Sequence, residues 1–167
     1  TLDWPNEAGN FKKFWPGIQV CGKDNLRQQA AMWQAMLMSA GLPNSKQVLV
    51  FGFLTANGQK IGKSLGNSVD PFEFANKYGA DALRYYLLTD ILPFEDGDFS
   101  EERLRLKYNA DLANGLGNLA ARVATLLENN EIATDLKIDV SGLTWADEFT
   151  KVIETYKYND SLVILWN

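Results

Sequence analysis

Two lysines three positions apart, Lys60 and Lys63, stand beside Gly62 and Ser64 in the stretch Asn57-Gly58-Gln59-Lys60-Ile61-Gly62-Lys63-Ser64-Leu65-Gly66-Asn67. Ammonium groups at this spacing in a glycine-bearing loop suit an anion such as a polyphosphate. Gly62 and Gly66 let the main chain close on a ligand, and Lys63 offers a point charge to phosphate oxygens. A solvated lysine-bearing hairpin fits the centre of this motif equally well, so its flanks have to decide.

The elements that must position these lysines follow from the surrounding pattern. Asn57-Gly58 is the dipeptide a tight hairpin prefers, because both central positions need positive φ, and this puts the lysines just past a hairpin. Upstream, Gln47 to Leu54 is rich in valine, leucine and phenylalanine and reads as one buried strand. Ile18 to Cys21 reads as another, ending at Gly22. Between them Asp24 or Asn25 can cap a helix on which Leu26, Ala30, Trp33, Leu37 and Ala40 recur at helical spacing until Gly41-Leu42-Pro43. Strand, helix, strand is a βαβ unit with a parallel sheet, and ligands of such sheets bind beyond the strands' carboxyl ends. Gly22-Lys23-Asp24 and the lysine loop fall at those two ends.

Downstream, Asp70-Pro71-Phe72-Glu73 supplies an N-cap, a proline at the first helical position and a glutamate at the third, which starts a helix running to Tyr78 and stopping at Gly79. A second helix carries Ala82, Leu83, Tyr86 and Leu87. Pro93 to Phe99 reads as a loop. From Ser100 one long helix is expected with Leu104, Tyr108, Leu112, Leu116, Leu119, Val123 and Leu126 as a core stripe. A polar linker around Glu128 to Ser141 leads to a last helix with Phe149, Val152, Ile153 and Tyr156. The passage from an α/β part to an all-helical part is placed near residues 95 to 100.

Bulk properties narrow the function classes. The chain has 167 residues, 46% of them apolar, enough to bury a core, and a formal charge of −5 that argues against indiscriminate nucleic-acid binding. One cysteine and no histidine exclude an internal disulfide and make a zinc site implausible. No apolar run reaches the length of a membrane span, and a cytoplasmic setting fits. The chain opens at Thr1 without a methionine and stops at Leu165-Trp166-Asn167 with no cap or breaker, which reads as an internal piece of a longer protein.

With its flanks Val50-Phe51-Gly52-Phe53-Leu54-Thr55 and Ser68-Val69-Asp70-Pro71, the lysine loop resembles the KMSKS signature of class I aminoacyl-tRNA synthetases, the methionyl branch above all. Gly22-Lys23-Asp24-Asn25-Leu26-Arg27 with Trp33-Gln34-Ala35-Met36-Leu37, and Asn109 to Arg122, resemble the GKD segment and the first anticodon-bundle helix of the same branch. The resemblance implies α/β followed by all-α: the second half of a Rossmann-type parallel sheet over 1–69, a stem-contact region over 70–99 and part of a helical anticodon-binding bundle over 100–167.

It further implies methionine activation by ATP with a substrate-borne magnesium ion, then transfer to tRNA(Met), with no membrane partner. Lys60 and Lys63 would be catalytic. Gly22 and Asp24, with Lys63, would bind ATP; Asn25, Gln29 and Trp33 would line the amino-acid pocket; and Asn118 and Arg122 would contact the anticodon. The last two lie four apart and share a helix face, as a bidentate base reader requires. The piece alone, lacking histidine and the first nucleotide-binding half, is expected to be inactive.

The pattern is departed from at Ile61 and Gly62, at Gln28-Gln29 and at Phe51, where the family commonly has methionine and serine, an aromatic residue with histidine, and histidine. Two other readings stay open: a non-catalytic tRNA-binding or interaction module, and a class I synthetase for leucine, isoleucine, valine or cysteine. Asp24 as a plain helix cap, Trp33 as core, and Asn118 with Arg122 as a solvated pair are the corresponding readings at the level of residues.

Overall fold

Ile18–Gly22 (β1) and Gln47–Phe51 (β2) pair in parallel, Ile18 opposite Gln47 and Gly22 opposite Phe51, in a computed structural model that describes residues 9–62, 65–130, 142 and 144–166. A parallel pair needs a crossover. Here it is a 3₁₀ turn at Lys23–Asn25, a π-helical turn at Gln28–Met32 and α2 at Trp33–Ser39, following a short α1 at Asn10–Phe14. The βαβ expectation is met, with one change: the helical path begins at Lys23 with Gly22 in the cap position, so Asp24 lies inside the first turn and does not begin the helix.

Cys21 is buried as expected, together with Leu37 and Leu49, but Ile18 and Val20 are exposed. Alternate residues of a strand point to opposite faces, and the described residues cover only the face that carries Gln19 and Cys21. The Gln34 amide ties the crossover down. It donates to the Gln29 carbonyl at 2.9 Å and the Ser45 hydroxyl at 3.0 Å, and accepts the Ser45 N–H at 3.0 Å.

The chain divides into two compact units, 1–53 with 94–96, and 54–93 with 97–167. The strand expected over Gln47 to Leu54 is interrupted at Gly52-Phe53, and Leu54–Ala56 (β3) belongs to a second sheet. The interruption has a local cause: a Cβ built on Gly52 would lie 1.9 Å from the Glu95 carbonyl oxygen, so another stretch of main chain occupies the place of a side chain. In the second unit β3 pairs antiparallel with Gln59–Lys60 (β4) and parallel with Gly97–Phe99 (β5). Part of the segment expected to be loop from Pro93 to Phe99 is therefore a strand. Its ladder partner is some forty residues away, a distance over which local pattern is silent.

The helix starts are as the sequence specifies. Asp70 accepts the Phe72 N–H at 2.9 Å and Pro71 opens α3 (Pro71–Tyr78), which Gly79 ends at φ 90° before α4 (Ala80–Asp90). Leu83, Tyr86, Phe99 and Leu104 form the core of this unit, with Phe74 edge-on to Phe99 at 4.8 Å and the Tyr86 hydroxyl accepting the Ser100 N–H.

The helix expected from Ser100 runs on, but as three pieces: α5 (Glu101–Lys107), a π-helical stretch at Tyr108–Gly117, and α6 (Asn118–Asn129). Its leucine stripe is not a continuous core. Leu104 is buried, whereas Leu116, Leu119, Val123 and Leu126 are exposed, since among the described residues no element covers any face of α6. Beyond the linker, of which 131–141 lie outside the described residues, the expected last helix is two, α7 (Trp145–Ile153) and α8 (Tyr158–Trp166), separated where Tyr156 takes φ 62°. The Tyr85 hydroxyl donates to Asp111 Oδ2 at 2.9 Å and accepts Trp166 Nε1–H at 2.8 Å, which joins α4, the π stretch and α8. Burial, then the Asp111 carboxylate, pushes the Tyr85 phenol up to about 12. Among the described residues no helix is long and apolar enough to cross a membrane.

Candidate functional site

Gly22 closes β1 and Asp24 and Asn25 follow in the 3₁₀ turn, so the segment read as a nucleotide contact does lie at the carboxyl end of a parallel strand. A Cβ on Gly22 would lie 2.9 Å from Asp24 Oδ1, which places the Asp24 carboxylate over the bare backbone of Gly22. Asn25 Nδ2 reaches Asp24 Oδ1 at 3.4 Å. The turn thus sets one hydrogen-bonding carboxylate against the bare Gly22 backbone at a strand end.

A group that sequence reasoning missed holds this turn. Asp96 takes the Lys23 ammonium on both carboxylate oxygens, at 2.6 and 2.5 Å, and accepts the Phe53 N–H at 2.7 Å. The Lys23 ammonium lies 4.4 Å from the centre of the Phe53 ring, and Phe94 packs on Phe51 at 5.7 Å. Lys23 first, and the Phe53 N–H second, hold the Asp96 carboxyl below its ordinary range. Phe51, which departs from the family pattern, has a packing role here. Nothing near Asp96 in sequence announces the contact, since its partners lie 43 and 73 residues away.

Gln29 and Trp33 are brought together. They line an open groove of about 440 Å³ with Gln19, Gln28, Met32 and Met36, a mixture of amide and thioether side chains suited to a small amphipathic ligand. Asn25 is not part of that lining. Trp33 is half-buried, and its Nε1 is buried with no acceptor among the described residues. The π turn at Gln28–Met32 shapes this wall, and Gln34 pins it through the Gln29 carbonyl.

Lys60 ends β4 and is exposed, opposite Thr55 in the hairpin. The turn is as the sequence requires, with Asn57 at φ 53° and Gly58 at φ 73°. Asp98 clamps it from a distance: its Oδ1 accepts the Thr55 hydroxyl at 2.6 Å and the Gly58 N–H at 2.8 Å, which hold the Asp98 carboxyl below its ordinary range. Asn67 spans the base of the lysine loop, accepting the Gly62 N–H at 3.0 Å and donating to the Lys60 carbonyl at 3.1 Å. Lys63 itself lies outside the described residues.

Asn118 opens α6 and Arg122 follows one turn later. Both are exposed, and no hydrogen bond or ion pair engages either side chain among the described residues. Arg122 borders a shallow groove of about 310 Å³ with Ala121, Thr125 and Leu126. The i, i+4 geometry expected of a base reader is present. Among the described residues no cluster of three or more metal-ligating side chains occurs.

Comparison with known proteins matches the pattern of the family tRNA synthetases class I (M) to residues 2–124. The chain is 54% identical over 121 residues to the methionine–tRNA ligase of Thermosynechococcus vestitus, which takes in 72% of this chain and 23% of that protein. It is 40% identical over 174 residues to the methionine–tRNA ligase of Thermotoga maritima, 98% of this chain and 27% of that protein. Its backbone is similar to the Mycobacterium tuberculosis methionyl-tRNA synthetase bound by methionyl-adenylate, with a TM-score of 0.87 and 29% identity, over 99% of this chain and 35% of that one. The chain therefore spans roughly a quarter to a third of the length of these relatives.

Proposed function

Because the chain belongs to the tRNA synthetases class I (M), we propose that the protein carrying it is a methionine–tRNA ligase, which activates methionine with ATP and transfers it to tRNA(Met) in the cytoplasm. Residues 1–69 would be the second half of its Rossmann-type catalytic domain, 70–99 its stem-contact region and 100–167 the start of its anticodon-binding bundle. The observation that carries the reading is the parallel β1–β2 pair with the Gly22–Asp24 turn at its carboxyl end, followed by the Asn57-Gly58 hairpin that leads into the lysine loop. The similarity to a synthetase bound by methionyl-adenylate supports it.

In this mechanism the methionine carboxylate attacks the α-phosphorus of ATP and pyrophosphate leaves. The tRNA terminal hydroxyl then attacks the adenylate carbonyl and AMP leaves. No covalent nucleophile of the protein is required. Its task is to hold the reactants in line and to offset charge that grows on the phosphates. Gly22 and Asp24 face the adenosine, and the Asp24 carboxylate, lying over the Gly22 backbone, accepts a hydrogen bond from the nucleoside. Gln29 and Trp33 receive methionine in the groove that they line. Lys60 and Lys63 carry the phosphate charge on a loop whose base Asn67 closes, and magnesium arrives with ATP. Asn118 and Arg122 read a base of the anticodon from α6.

The test is methionine-dependent pyrophosphate exchange by the full-length protein. Wild type should exchange, and Lys63→Ala should slow adenylate formation about a hundredfold to a thousandfold with methionine affinity little changed, the pattern of a charge contact made in the transition state. Loss of methionine binding with an unchanged chemical step would give the loop another role.

A further inference from the structure

Lys23 lies between Gly22 and Asp24, yet its own side chain turns away to an acidic partner delivered by a remote segment. Residues 94–96 dock along 51–53: Phe94 on Phe51, the Glu95 carbonyl in the space left by Gly52, and Asp96 on the Phe53 N–H. One carboxylate thereby bridges the residues that follow both parallel strands, Lys23 after β1 and Phe53 after β2. We propose that Asp96 is a positioning residue for the nucleotide, fixing the Gly22–Asp24 turn against the end of β2 so that the turn is preformed when ATP arrives. The proposal rests on the reading of Gly22 and Asp24 as adenosine-facing.

Both partners of the ion pair are about half exposed, 43% for the Lys23 side chain and 51% for that of Asp96. A pair so open to solvent contributes little to global stability. Its removal should act on the geometry of one turn and leave the fold standing. Because the Phe53 N–H bond needs only an acceptor while the Lys23 contact needs a charge, two substitutions at position 96 separate the two halves of the clasp.

The experiment is pyrophosphate exchange by the full-length protein, with KM measured for ATP and for methionine. Asp96→Ala should raise KM for ATP about tenfold, as expected for loss of charge-assisted hydrogen bonds, with KM for methionine and Tm unchanged. Asp96→Asn, which keeps an acceptor for Phe53, should move KM for ATP less. Lys23→Met combined with Asp96→Asn should be no worse than the more damaging single change, since both remove the same contact. An unmoved KM for ATP in Asp96→Ala, or KM values for ATP and methionine rising together with a fall in Tm, overturns the proposal. Asp24→Ala in the same assay separates the layers: an unchanged KM for ATP overturns the adenosine-facing reading and this proposal with it. A raised KM in Asp24→Ala beside an unmoved one in Asp96→Ala overturns this proposal alone.

Discussion

At the carboxyl ends of β1 and β2, Lys23 and the Phe53 N–H both end on Asp96, whereas along α6, among the described residues, Asn118 and Arg122 are aligned by nothing except the helix that carries them. The first arrangement is made by tertiary contacts and is sensitive to the main-chain path. The second is made by 1.5 Å of rise per residue and survives as long as the helix does. Substitutions in the two regions should therefore fail differently, through geometry in one and through the lost contact alone in the other.

The largest effect is expected at Gly52. An alanine there would put its Cβ 1.9 Å from the Glu95 oxygen and 2.2 Å from the Glu95 carbonyl carbon, so the 94–96 segment must retreat and take Asp96 with it. Gly52→Ala should lower stability by about 3 kcal/mol, the upper range for overpacking, as read from urea unfolding. A loss below about 1 kcal/mol would show that the segment yields easily and that the contrast with α6 is overstated.

On α6 the expected change is smaller and purely functional. Arg122→Ala in the full-length protein should cost about 1 to 3 kcal/mol in tRNA recognition, as for a lost bidentate base contact, with amino-acid activation untouched. A tRNA with an altered first anticodon base is the control: wild type should discriminate against it, and the variant should tolerate it relatively better. Equal discrimination by both would reduce Asn118 and Arg122 to a solvated helix face.

The smallest effect is in acid. The Asp98 carboxyl sits below its ordinary range in the folded chain, held there first by the Thr55 hydroxyl. A depressed folded pKa contributes stability above the unfolded value, about 3.9 for aspartate, and that contribution is lost as pH falls through the lower folded value, because the unfolded chain binds more protons there. Urea midpoints should fall as the pH drops below about 4. Asp98→Asn should flatten that fall, and an equally steep one would place the acid sensitivity elsewhere.

What the sequence made legible follows the same division. The hairpin at Asn57-Gly58, the cap at Asp70 and the i, i+4 face of α6 depend on residues within a few positions of one another, and the parallel pair, whose partners are far apart in the chain, was readable from the order strand, helix, strand; each was specified before any coordinate. Asp96, Asp98 and β5 depend on pairings some forty residues apart, for which Asp96-Gly97-Asp98 carries no signal beyond that of a turn. The π stretch at Tyr108–Gly117 was equally silent, and so was the exposure of α6 from Asn118 on, since a helical period marks an apolar face without saying what covers it. Of the candidate site, Gly22, Asp24, Gln29, Trp33 and Lys60 could be named from the chain, but the groups that hold them could not.

The clasp also sets a timetable for a chain growing from the ribosome. Asp96 is made 43 residues after Phe53 and 73 after Lys23. At about 5–20 residues per second, Phe53 waits roughly 2 to 9 s for its acceptor and Lys23 roughly 4 to 15 s. During that interval β1 and β2 can pair and α2 can form from local and medium-range contacts, but Lys23 still awaits the carboxylate that takes its ammonium group. The Gly22–Asp24 end of this unit is thus the last part of it to be completed during synthesis, well after the sheet that carries it.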